Sequence, residues 1–64
     1  MKTAQWPTAD GRYYVESYGN GWAYQVTDQQ TGQSFWVQDA DAAQLQEETQ
    51  DFAYTATLEN YFID

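Results

Sequence analysis

Proton transfer, nucleophilic attack and metal binding must be built here from few groups. The 64 residues contain no histidine and no cysteine, so ten carboxylates, Ser17, Ser34, six tyrosines and Lys2 carry those roles. Two carboxylates are enough to hydrolyse a glycosidic bond, provided a cleft holds sugar rings between them. Glu16 and Asp28 are such a pair on paper, but they read more simply as solvated strand and turn residues. No catalytic residue and no enzymatic activity are expected. Asp39 and Asp41 offer hard oxygen ligands one residue apart, yet they stand where a helix N-terminus takes caps and negative charge. Glu47, Glu48 and Asp51 lack the alternating ligands and central glycine of an EF-hand loop. No metal and no cofactor are therefore expected.

The elements that must position these groups follow from pattern. Residues 12–38 alternate as antiparallel strands do. Tyr13, Val15 and Ser17 share one face, with Tyr14, Glu16 and Tyr18 on the other. Asn20-Gly21 is a strong hairpin signal, because a type I′ turn needs positive φ at both central residues. A two-residue turn there pairs Val15 with Val26 and Ser17 with Tyr24. In the next run Trp22, Tyr24 and Val26 point inward, while Ala23, Gln25 and Thr27 point outward. Asp28 to Gln33 is a second turn with Gly32 in the left-handed position. Ser34 to Gln38 then places Phe35 and Val37 inward and Trp36 outward, completing a three-stranded meander.

The inward face needs a cover. Residues 39–51 supply a helix, with Asp39 or Asp41 as cap, Gln44 placed for a capping box from Asp41, and a thin stripe of Ala42, Leu45, Thr49 and Phe52. Beyond it Phe52, Tyr54, Ala56 and Leu58 alternate, which suits a fourth strand over 52–58; Leu58, Tyr61 and Phe62 also fit a short helix. Residues 1–11 read as an irregular lead-in whose Trp6-Pro7 packs on the sheet edge. The expectation is a single α+β domain over 1–64, a three- to four-stranded antiparallel meander with one helix packed on one face.

A chain this short hides only about 60% of its unfolded surface, so the twelve aromatics must carry much of the core. Charge is the strongest functional clue. Residues 1–38 hold three carboxylates against Lys2 and Arg12, whereas residues 39–64 hold seven carboxylates and no cation. A net charge of -8 argues against direct binding to nucleic acid, whose affinity comes largely from Lys and Arg on phosphates. Crowding that charge into one segment costs stability through self-repulsion. Either it serves solubility, in ordinary or salty surroundings, or it meets a basic partner. No stretch approaches the 18–20 or so apolar residues of a membrane span. No apolar run follows Lys2 as in a secretory signal, so a cytoplasmic location is expected.

In size, acidity, lack of cysteine and richness in tyrosine, the chain resembles small phage-encoded inhibitors of the anti-CRISPR and anti-restriction kind. The resemblance implies a non-enzymatic DNA mimic working in the host-cell cytoplasm. Asp39, Asp41, Glu47, Glu48 and Asp51 would stand in for phosphates, and Tyr14, Tyr18 and Trp36 would grip the neighbouring surface. Its partner would be the Arg/Lys-rich nucleic-acid-binding site of a nuclease or CRISPR surveillance complex, with homodimerisation left open. Two other functions fit the residues: a generic interaction domain whose acidity serves solubility, and a small carbohydrate-binding module using Trp36 and tyrosines as platforms. Locally, Thr31-Gly32-Gln33-Ser34-Phe35-Trp36 resembles the second hairpin of a WW domain. However, Asp28 replaces that family's usual Asn and no proline follows Trp36, so the likeness is one of hairpin chemistry.

Overall fold

Asn20 and Gly21 both take positive φ, 56° and 95°, and Trp22 N–H donates to the Gly19 carbonyl across them at 3.3 Å. The strands on either side pair in the register that this turn dictates, Val15 opposite Val26 and Ser17 opposite Tyr24. This hairpin, β2 (Tyr13–Tyr18) and β3 (Ala23–Asp28), is the middle of the sheet in the computed structural model, which describes residues 2–62. β4 (Ser34–Gln38) follows after the Asp28–Gln33 turn, where Gly32 takes φ 80° and the Asp28 carboxylate accepts from Gln30 N–H at 2.9 Å. It sets Val37 opposite Tyr24 and Phe35 opposite Val26.

The fourth strand lies at the other end of the chain from the one expected. β1 (Lys2–Pro7) pairs antiparallel with β2, so the sheet is a meander in the order β1-β2-β3-β4. Residues 2–7 are therefore an edge strand and not an irregular lead-in. Its side chains are exposed except for half-buried Trp6, so no period-two apolar pattern marks it. The features that hide it are those that protect a sheet edge: a lysine, a register shift between Lys2 and Ala4, and a closing proline with no N–H to offer.

α1 (Ala40–Glu48) packs over β4 and buries Ala42 and Leu45 completely. It is shorter than the 39–51 expected. Asp39 is the N-cap residue, but with φ 55° and ψ -125° its carboxylate makes no capping hydrogen bond. Asp41 lies in the first turn, where its charge favours the helix dipole without a capping box. At the other end Thr49 Oγ1 donates to the Leu45 carbonyl and accepts from Phe52 N–H, while Gln50, Asp51 and Phe52 all adopt left-handed backbone. The chain thus turns back on itself and buries Phe52, reaching by a turn the place that a continued helix would have supplied.

No strand forms over 52–58. A turn leads instead into a 3-10 helix, Ala56–Phe62, which buries Leu58. The core joins Tyr13, Val15, Tyr24, Val26 and Val37 of the sheet to Ala42, Leu45, Phe52 and Leu58, with Trp6, Phe35, Tyr61 and Phe62 packed around it. Trp22, expected inward, is 50% exposed. It belongs to the turn ahead of β3, where its carbonyl accepts from Asp39 N–H at 2.9 Å and its ring lies outside the core. Ala23, expected outward, does lie on the outer face but is fully buried there, between Tyr18 and Gln38 in register.

Candidate functional site

Strand alternation divides the candidate residues between two faces. Tyr13, Val15 and Ser17 are buried on the side that α1 covers, so Tyr14, Glu16 and Tyr18 stand on the uncovered side. Trp36 alternates with buried Val37 and joins them there. Tyr18 and Trp36 meet over β3 with ring centroids 5.0 Å apart and tilted by 55°. Trp36 is 47% exposed, and its indole N–H donates to Gln38 Oε1 at 3.0 Å. Tyr14 is half-buried two residues before Glu16 on the same face, level with Pro7.

The carboxylates occupy the opposite, helical layer. At 100° per residue, with Ala42 and Leu45 facing the sheet, Glu47 points straight outward. Asp41 and Glu48 share one flank of α1, and Gln46 leads to Asp51 on the other. They form a band around the exposed sides of the helix, not a single row. Their surroundings differ as well. Glu48 Oε1 accepts from the Tyr61 hydroxyl at 2.7 Å. Burial, then this hydrogen bond and the nearby charge, push the Tyr61 phenol up to about 12. Asp51 Oδ1 accepts from Gln46 Nε2 at 2.6 Å. Asp39, Asp41 and Glu47 are exposed, and their side chains accept no hydrogen bond from the described residues.

Both cations are committed elsewhere. Lys2 Nζ stands 3.0 Å from Glu16 across the β1–β2 pair, and Arg12 Nη2 stands 3.3 Å from Asp28. The Asp28 carboxyl is held below its ordinary range, first by the Gln30 N–H and then by Arg12. The Thr8 hydroxyl donates to Asp10 at 2.6 Å and does most to lower that carboxyl, which Thr55 ties to the C-terminal segment at 3.0 Å. Glu16 and Asp28, the pair considered for glycoside chemistry, are thus each engaged with a cation. Among the described residues no group of three or more carboxylates is gathered to hold a metal ion. No described helix is long and apolar enough to cross a membrane.

One feature of the helical layer was not legible in sequence. A groove lined by Trp6, Tyr24, Gln46, Asp51 and Phe52 opens between β1, the β2–β3 hairpin and the turn after α1. It depends on β1 being a strand and on the left-handed turn at 50–52, neither of which periodicity reveals. The chain matches no protein-family model, and neither characterised proteins nor solved structures provide a match.

Proposed function

We propose that this chain is a stoichiometric, non-catalytic protein-binding domain that presents its acidic helical layer to a basic surface. In its concrete form it is an inhibitor, occupying the nucleic-acid-binding site of a nuclease or surveillance complex with carboxylates in place of phosphates. The observation that carries this reading is the division of charge. Lys2 and Arg12 are both tied to carboxylates of the sheet, while Asp39, Asp41 and Glu47 project from the helical layer without a partner among the described residues. Asp41 favours the helix dipole, but Glu47 near the other end of α1 does not, and no lysine or arginine on the helix offsets the mutual repulsion of the array. A cationic cleft, however, would be drawn to it over several ångströms and oriented by it.

The test is displacement of a labelled DNA duplex from candidate nucleases and surveillance complexes by the purified protein. Displacement should weaken steeply as salt rises, and the double reversal Asp41→Lys/Glu47→Lys should abolish it with the fold intact. Displacement that survives the reversal would reject phosphate mimicry.

The uncovered sheet face supports a second reading. The tilted Tyr18–Trp36 pair, bordered by Gln25, Ser34 and Gln38, is an aromatic platform of the kind that stacks on sugar rings. A carbohydrate binder would lose its ligand on Trp36→Ala and respond little to salt.

A further inference from the structure

A four-stranded sheet is wider than a nine-residue helix can cover. α1 lies over β4, and the turn after it carries Phe52 to Tyr24 and on to Trp6 of β1. The Phe52 ring meets Tyr24 at 4.9 Å and Trp6 at 5.8 Å, both edge to face. What stays open beside them is a groove of about 360 Å³. Ser17, Tyr24 and Phe52, all buried, form its floor, and Trp6, Gln46 and Asp51 stand at its sides. Asp51 carries the one charge among the lining residues.

That carboxylate is held in place. Gln46 Nε2 donates to Asp51 Oδ1 at 2.6 Å, and Gln46 Oε1 in turn accepts from the Tyr24 hydroxyl at 3.4 Å, so Gln46 links the carboxylate to the groove floor. Its Oδ2 accepts no hydrogen bond from the described residues. Gln50, Asp51 and Phe52 hold φ of 50°, 61° and 68°, a run that L residues rarely adopt, and this run brings Phe52 to the floor and Asp51 to the rim. Gly21 leaves the space that the Tyr24 hydroxyl uses, since a Cβ there would stand 3.0 Å from it.

We propose that this groove receives one arginine side chain of the basic partner. A guanidinium is planar and weakly hydrated; it stacks on aromatic rings while its N–H fork donates to a carboxylate. The groove supplies both complements at once, with Trp6 and Asp51 both among its lining residues. A lysine ammonium, compact and strongly hydrated, fits the same space less well. This assignment rests on the basic-partner reading above and specifies where one of the partner's charges is held.

The experiment is a titration of isotope-labelled protein with N-acetyl-arginine amide at low ionic strength, followed by amide and indole resonances. N-acetyl-lysine amide and the uncharged citrulline analogue serve as comparisons. Saturable shifts are expected at the Trp6 indole, the Gln46 side-chain amide and Asp51, stronger for arginine than for lysine and absent for citrulline. Asp51→Asn should weaken binding about tenfold or more, with the fold retained because asparagine accepts left-handed backbone. Binding unchanged in Asp51→Asn, equal binding of citrulline, or no shift in the groove would overturn the assignment. Shifts confined to Asp41 and Glu47 would overturn it too, while leaving the basic-partner reading to stand or fall on the displacement assay.

Discussion

Tyr61 and Glu48 show how one residue's chemistry reports its place in the fold. The phenol is pushed up to about 12 by burial and by the carboxylate it donates to at 2.7 Å. A folded-state pKa above the unfolded one stabilises the protein fully below the unfolded value, near 10, and that contribution is lost as pH rises toward 12. Glu48→Gln removes the charge and keeps an acceptor, so the last tyrosine to ionise should do so at lower pH; tyrosinate absorbance measures it. Asp28 runs the other way. Its lowered carboxyl contributes stability above the ordinary carboxylate range and loses it as pH falls through the folded value. Asp28→Asn should therefore flatten the acid limb of stability measured by urea midpoint against pH. In sequence Asp28 to Gln33 reads as a turn through Gly32; the Asp28 carboxylate's bond from Gln30 N–H, two residues on, is what the structure adds. Sequence does not mark Tyr61, because its partner lies thirteen residues away on a different element, and the packing that joins the two is set by the fold as a whole.

At the scale of elements, what pattern and turn chemistry fix jointly was legible, and what depends on the rest of the fold was not. The β2–β3 register followed from Asn20-Gly21 and the valines because local chemistry and face alternation agree. The β1 strand was hidden because an edge strand with exposed side chains owes its existence to β2, not to its own composition. The stripe of Ala42, Leu45, Thr49 and Phe52 is buried as its spacing predicts, although Phe52 arrives through left-handed backbone instead of helix. Two substitutions test these attachments. Gly21→Ala meets both a φ of 95° and the Tyr24 hydroxyl, and should cost about 1 kcal/mol or more in chemical denaturation. Leu58→Ala empties a fully buried site under the 3-10 helix, at about 2–5 kcal/mol. Stability of about 0.05–0.15 kcal/mol per residue leaves a domain this small little reserve, so circular dichroism should show loss of the fold at moderate temperature. An unchanged melting curve would mean that Ala56–Phe62 is not docked as described.

For the molecule as a whole, the division into a sheet with paired charges and a helical layer with unpaired ones sets stability against binding. Like charges on α1 and its flanks repel without any lysine to relieve them, and salt screens that repulsion within about 8–10 Å at physiological strength. Thermal stability should therefore rise with moderate salt. Glu47, exposed on the outermost side of α1, isolates the effect because it touches neither core nor groove. Glu47→Lys puts a cation in the last turn, where it meets the helix dipole favourably and lies among carboxylates, so it should stabilise by a few tenths to about 1 kcal/mol at low salt. The same change should weaken displacement of DNA from a basic target, and both effects should shrink together as salt rises. A charge kept for binding gives this opposition of stability and affinity, whereas a charge kept for solubility gives the stability change alone. Calorimetry and the displacement assay on the one variant, at two salt concentrations, separate the two.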